Sequence, residues 1–304
     1  MLQLEILDIS RICLRCELGL APLKIHQKFP MKPFQSLLLS LASLGLALSS
    51  GQAATITDGL VFYAPFDTTT SNTIDPPGQA AATVGSAGIT LSAGQQKFGT
   101  QSLYNPAANH TTSSSLSYAD GTPSFDIGTG DFALSAWIYL SVNPTGTTVR
   151  QYAFNGMNSA THNLAMYVRD RRLVFFLENG TNDIDMATPV ASLTSTGTWV
   201  NLIANIYDDG SSRTTDLYIN GSLSSTQTKV GVGNTAFTSF YLAGASTGSH
   251  AIQQGYMDDA AIWKRALTTG EIASIQTGAI PEPSVFGLCM AGLAGILARR
   301  RRNN

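Results

Sequence analysis

The chain has 304 residues, with 18 Lys and Arg against 20 Asp and Glu and a formal charge of −2. Between 55 and 280 the balance is more acidic, three Lys and six Arg against fourteen Asp and two Glu, which argues against nucleic-acid binding. The three cysteines, Cys13, Cys16 and Cys289, all fall outside that stretch, so its stability must come from packing without disulfides.

The N-terminal segment divides into two parts. Residues 1–30 carry mixed charges, and Cys13-Leu14-Arg15-Cys16 has no second pair to make a metal or redox site. Met31-Lys32 then opens a positive region, and Phe34 to Ser50 is an uncharged run rich in Leu, Ser and Ala. Gly51-Gln52-Ala53-Ala54 supplies small residues for cleavage. This order predicts a secretory signal peptide over 31–54, with Met31 as the true start and 1–30 as a spurious extension.

The body reads as strands. Gly59 to Phe66 is a first apolar strand. Pro76-Pro77-Gly78, Ala80 to Gly88 and Asn109 to Ser115 read as surface loops. From Phe132, the residues Phe132, Leu134, Ala136, Ile138 and Leu140 share one face, and Ala133, Ser135, Trp137 and Tyr139 the other. Leu164 to Val168 and Arg172 to Leu177 are further strands about a turn at Asp170-Arg171, and Glu178-Asn179-Gly180 marks the next turn. Val200, Leu202, Ala204 and Ile206 alternate with Trp199, Asn201, Ile203, Asn205 and Tyr207. Leu217 to Ile219 runs into Asn220-Gly221, a strong hairpin signal because both residues accept positive φ. Phe237 to Leu242 is another strand, and Thr268-Thr269-Gly270-Glu271 fits a capping box before Ile272, Ala273 and Ile275.

The last residues have a distinct order: Pro281-Glu282-Pro283, 15 uncharged residues from Ser284 to Ala298, then Arg299, Arg300, Arg301 and Arg302. The prolines break regular structure, the apolar run can enter a bilayer, and the arginines stay on the cytoplasmic side. A helix of that length spans about 22 Å against a hydrocarbon core of about 30 Å, a marginal permanent anchor. The order resembles the PEP-CTERM sorting signal of Gram-negative bacteria. That resemblance implies transient membrane anchoring, an exosortase-type processing enzyme as partner, and delivery to the cell surface or extracellular matrix.

Four passages carry a second resemblance: Leu60 to Asp67, Gly130 to Trp137, Trp199 to Gly221, and Gly255 to Trp263 followed by Lys264 to Leu267. In this order they are similar to the LamG-like jelly roll of the concanavalin A-like superfamily. The fold class expected is therefore all-β, a two-sheet antiparallel jelly-roll sandwich over 55–278, followed by the sorting signal at 279–304. The resemblance implies ligand binding on a concave sheet face or the loop rim, and many relatives hold calcium at that rim. The positions that resemble the calcium ligands are Asp67, Asp258 and Asp259.

Catalytic constellations are weak. The superfamily's glucanases carry two Glu and one Asp at alternate positions of one strand. Here Glu178 precedes a turn and Glu271 is a helix-cap partner; Asp183 and Asp185 alternate but read as a solvated acidic loop. His110, His162 and His250 sit in polar, turn-like contexts without a Gly-x-Ser-x-Gly elbow. Trp137, Tyr139, Trp199 and Tyr207 lie opposite the most apolar faces of their strands, where they could stack on sugar rings or pack beneath a cover. Arg169, Arg171 and Arg172 cluster at a hairpin and could meet an acidic polysaccharide or only solvent. The expected protein is an exported, non-catalytic binder of extracellular polysaccharide or of a surface protein. The alternatives are a structural matrix protein without a ligand and a polysaccharide hydrolase.

Overall fold

The computed structural model describes residues 56–74, 81–85, 88–112, 114–119, 130–146, 148–158, 162–178, 184–189, 196–231, 237, 239–245, 250–278 and 280. The expected signal peptide, the region before it and the expected sorting tail lie outside the described residues. Among the described residues no helix is long and apolar enough to cross a membrane.

Among the described residues, fifteen strands and then a short helix follow in chain order. The strands are β1 (Leu60–Ala64), β2 (Ala82–Gly85), β3 (Thr90–Ser92), β4 (Ser102–Asn105), β5 (Ser114–Ala119), β6 (Phe132–Tyr139), β7 (Arg150–Asn158) and β8 (His162–Arg169). Then come β9 (Arg172–Glu178), β10 (Ile184–Pro189), β11 (Trp199–Asp208), β12 (Ser212–Ile219), β13 (Ser222–Val230), β14 (Ser239–Leu242), β15 (Gly255–Trp263) and α1 (Thr269–Ile275). One sheet has the order β13-β12-β11-β6-β15-β4-β3, with β1 pairing the far end of β15. The other has the order β10-β9-β8-β7-β14-β5-β2. All pairings are antiparallel, so the described chain is an all-β two-sheet sandwich.

Period-two alternation places the core. Phe132, Leu134, Ala136 and Ile138 of β6 join Val200, Leu202, Ala204 and Ile206 of β11 between the sheets. They meet Leu164, Met166, Val168, Leu173, Phe175 and Leu177 from the opposite sheet. Phe62 fills the middle, edge-on to Tyr118 at 4.9 Å and to Phe240 at 5.6 Å, a geometry that aromatic quadrupoles favour. Two turns require left-handed backbone: Asn220-Gly221, with φ of 49° and 75°, and Asp170-Arg171, with φ of 48° and 59°. Glycine has no Cβ to strain in that region, and Asn and Asp tolerate it best among the others.

Two readings are corrected. Ala82–Gly85, within the stretch expected to be a loop, is β2. Asp185 is not in a loop but in β10, where burial alternates strictly and Asp185 faces solvent. The capping box does form: the Thr268 hydroxyl accepts from the Glu271 N–H, and the Glu271 carboxylate accepts from the Thr268 N–H at 2.8 Å. Apolar Ile272 and Ile275, one turn apart, pack α1 onto the outer face of the first sheet, beside Trp263, Tyr218 and Ile203.

Candidate functional site

The outer face of the first sheet has three zones. At one end α1 covers it. Asn205 accepts from the Leu267 N–H at 2.8 Å and donates to the Leu267 carbonyl at 3.0 Å, holding the approach to the helix. Asn201 accepts from the Gln276 amide at 2.8 Å and secures its end.

The middle zone is covered by the segment 95–101. Asp258 accepts from the Lys97 and Phe98 N–H groups at 2.8 and 3.2 Å. Asp67 accepts from the Thr100 N–H and from the Gln101 N–H, the latter at 3.1 Å. Two carboxylates thus straddle the segment, each taking a consecutive pair of backbone donors. Between them Gly99 has φ of +61°, and its absent side chain leaves the place that the Asp67 carboxylate occupies. The fastened segment lays Lys97 over the Trp137 ring at 4.1 Å and Phe98 edge-on to it at 5.8 Å. Trp137 is consequently only 4% exposed.

The third zone is open and aromatic. In one register row, Trp199 of β11 lies opposite Tyr139 of β6. Tyr139 lies opposite Tyr256 of β15, and Tyr256 opposite Tyr104 of β4. Neighbouring rings are 5.6, 5.7 and 4.7 Å apart. All four side chains are half-buried. Three strand spacings make the row about 14 Å long. The parity of the strands explains it: Ile138, Val200, Met257 and Leu103 beside these residues enter the core, so the aromatics must point outward. Burial, followed by the neighbouring Tyr104 and Tyr139, pushes the Tyr256 phenol above its ordinary range, and a Ser92 hydrogen bond opposes this. Exposed Gly94 and Gly197 border the row beside the hydroxyls of Tyr256 and Tyr139.

The sequence-level aromatic candidates therefore separate. Tyr139 and Trp199 come together in the row, and Trp137 lies under the covering segment. Tyr207 is 37% exposed, eight residues along β11 from Trp199 and so about 27 Å away. Its hydroxyl accepts from the Asn205 amide at 2.8 Å. Tyr104 and Tyr256 complete the row and were not among the candidates, because only cross-strand register brings them there.

The three acids do converge, since β1 and β15 are neighbours. A bulge in β15 gives Asp259 a φ of +47°, and its carboxylate accepts from the Tyr63 hydroxyl at 2.6 Å. Burial first, and Asp259 second, push Asp258 up to about 8. Burial, opposed by the Tyr63 bond and aided by Asp67, pushes Asp259 up to about 6. As donors for calcium they fit poorly: both Asp258 oxygens and one oxygen of each other acid already accept N–H or O–H bonds. Among the described residues no group of three or more His, Cys, Asp or Glu side chains is placed to hold a metal.

The raised acids have a signed consequence for stability. Between about pH 4 and 8 the folded chain binds more protons at these two sites than the unfolded chain. Their stabilisation is complete below the unfolded carboxylate range and is lost as pH rises through the folded values. Urea unfolding from pH 5 to 8 is expected to give a declining stability, by up to about 1.4 kcal/mol per pH unit for each proton released. Asp258→Asn is expected to flatten that decline. A decline equally steep in the variant would refute the assignment.

Hydrolytic constellations are not assembled by the described residues. Glu271 is engaged by Arg265 at 2.6 and 2.9 Å and by Thr268. Glu178 ends β9, and Asp183 lies outside the described residues. His110 and His250 stack in parallel at 6.4 Å, with Tyr152 next to His250 at 5.2 Å.

With this geometry in view, a laminin G family model, described as the concanavalin A-like lectin/glucanases superfamily, matches residues 110–273. The chain belongs to that superfamily. No curated protein matches the sequence. Domain 4 of AbnA, an extracellular GH43 arabinanase from Geobacillus stearothermophilus solved with arabinotriose, is similar at 18% identity and TM-score 0.54, over 71% of this chain and 98% of that one. The binding domain of botulinum neurotoxin serotype D is similar at 14% identity and TM-score 0.58, over 75% of this chain and 52% of that one. A structure of the serotype D ligand-binding domain with N-acetylneuraminic acid is similar at 13% identity and TM-score 0.56. The chain spans about half the length of the neurotoxin domains. At these identities the likeness concerns the lectin-like sandwich alone.

Proposed function

We propose that this concanavalin A-like protein is an exported, non-catalytic binding module that takes glycan chains on the Trp199-Tyr139-Tyr256-Tyr104 row. The observation that carries the reading is the row itself: four half-buried aromatics in one register, beside the zones that α1 and the segment 95–101 cover. Aromatic faces offer apolar area and a polarised π-system to the C–H faces of sugars, while the Tyr hydroxyls reach the sugar oxygens. Lectin-like neighbours solved with arabinotriose and N-acetylneuraminic acid support a carbohydrate ligand. The occupied or outward positions of Glu271 and Glu178 support a role without hydrolysis. The test is a glycan array probed with the purified full-length chain. Binding to no glycan would favour the structural-protein reading, and release of reducing ends from a bound polysaccharide would favour a hydrolase.

Export and sorting belong to the same proposal. The signal peptide at 31–54 would direct secretion, and Pro281-Glu282-Pro283, the apolar run and Arg299–Arg302 would present the chain to an exosortase-type enzyme at the envelope. Deleting 281–304 is expected to abolish normal processing and surface delivery in the native host, measured by fractionation and immunoblotting. Unchanged maturation would remove this part of the reading.

Calcium is a second reading for the middle zone. It rests on the resemblance of Asp67, Asp258 and Asp259 to rim ligands and on the nearness of Asp259 to the other two, against the poor fit of their occupied oxygens. It requires the segment 95–101 to yield some of its hydrogen bonds. A melting temperature unchanged between millimolar calcium and chelator would exclude it.

A further inference from the structure

The second sheet carries an arrangement that neither the core nor the aromatic row uses. Arg150 of β7 lies directly opposite Arg169 of β8, and Arg169 directly opposite Arg172 of β9. Three arginines therefore stand side by side on three adjacent strands, and Arg171 sits beside them in the β8–β9 turn. Arg150, Arg169 and Arg172 point to the outer face, because Val168 and Leu173 next to the latter two enter the core and Arg150 shares their register row, while Arg171 is exposed in the turn. Like charges directly opposite each other weaken a strand pair. Their excess is barely countered: among the described residues Asp170 in the turn and Asp185 on β10 are the neighbouring carboxylates, two against four guanidiniums.

The distribution of arginine over the body sharpens the point. Between 55 and 280 there are six arginines. Arg213 and Arg265 form the ion pairs of the described residues, with Asp208 and Glu271. The other four are all in this patch. Arg150 and Arg169 rest over the Tyr167 ring at 5.6 and 5.9 Å, and Tyr167 stacks on Tyr152 at 4.6 Å. The tyrosines are 5% and 6% exposed, so they form a fixed floor under the guanidiniums. Restraint of this kind reduces the entropy lost when a planar fork engages a carboxylate.

We propose that Arg150, Arg169, Arg171 and Arg172 form a second glycan site, selective for polysaccharides bearing carboxylates, such as uronic-acid chains. A row of forks matches a repeating anion better than a single charge does. Between 55 and 280 the balance is acidic, and this patch gathers four of the six arginines there, so among the described residues it is the place that would attract such a polymer. The inference goes beyond the aromatic-row reading and rests on different residues of the opposite sheet.

The test is affinity electrophoresis of the full-length chain through gels containing polygalacturonate, with neutral dextran and phosphatidylglycerol vesicles as parallel arms. Polygalacturonate is expected to retard the wild type, less so as salt rises, because exposed charges are screened. Arg169→Gln/Arg172→Gln is expected to bind at least about tenfold more weakly, the loss of one or two charge-assisted hydrogen bonds. Arg171→Gln, in an exposed turn, is expected to weaken binding in the same direction and guards against misfolding of the double variant. Trp199→Ala is expected to leave the retardation intact, so failure of the row and failure of this patch are read separately. Equal retardation of wild type and both Arg variants, no retardation at all, or retention by vesicles but not by polygalacturonate would each overturn the proposal.

Discussion

Trp263→Ala is expected to lower stability by about 3–5 kcal/mol, the loss usual for deleting a large buried aromatic. The side chain is fully buried where the closing strand, α1 and the segment before β1 meet. It packs with Leu60, Ala133, Leu267, Ile272 and Ile275, and its indole N–H donates to the Ile56 carbonyl at 2.7 Å. Removing the ring takes away the shared surface on which α1 and residues 56–60 rest, and leaves a buried carbonyl without that donor. For a domain of this size the midpoint should fall by roughly 6–20 °C. Trp263→Phe retains most of the apolar area and loses the hydrogen bond, so about 1–3 kcal/mol is expected. Circular dichroism melts of both variants decide it: a loss below about 1 kcal/mol for the alanine variant would mean that α1 docks by other contacts.

The second large effect concerns binding. Trp199→Ala and Tyr256→Ala are each expected to weaken glycan binding by at least about 2 kcal/mol, near thirtyfold, with little change in melting temperature. Both rings are half-buried and belong to the row rather than to the core between the sheets. Trp137→Phe is the contrasting variant: beneath Lys97 and Phe98 it should reduce stability and leave affinity within a few fold. Isothermal titration with a glycan selected from the array separates the two outcomes. A stability loss without an affinity loss at Trp199 and Tyr256 would make the row a packing feature.

The different fates of Trp137 and Tyr139 mark what single-sequence reasoning can reach. They lie two residues apart on the same face of β6, a face that alternation identifies directly. Which of them is covered depends on the segment 95–101, and that segment is fastened by Asp258 and Asp67, distant from it in sequence. Periodicity carries no information about such contacts. The same limit hid Tyr104 and Tyr256: β4 is four residues long, and register across β15 exists only in the folded sheet. It also hid the arginine row, since Arg150 joins Arg169 and Arg172 only through pairing of β7 with β8.

Features that depend on local chemistry were legible. The faces of β6 and β11, the Asn220-Gly221 turn and the capping box at Thr268 and Glu271 all follow from nearby residues. In the sequence Asp185 reads as part of a loop because Ile184-Asp185-Met186-Ala187 alternates over too few residues to stand out beside Asn179-Gly180. Glu271 illustrates how local and distant roles combine. Its cap bonds to Thr268 were evident from spacing, whereas its ion pair with Arg265 at 2.6 Å required the fold.

The central claim is that glycan lies on the aromatic row, and tryptophan fluorescence addresses it most directly. The chain has three tryptophans, and Trp137 and Trp263 are 4% and 0% exposed, so Trp199 is the one a ligand can reach. Titrating the full-length protein with its array-selected glycan is expected to give a saturable change in emission. That change should vanish in Trp199→Phe, even though the phenyl ring keeps the stack and binding persists within a few fold. Binding without an emission change in the wild type, or a change that survives in Trp199→Phe, would place the ligand elsewhere and contradict the account.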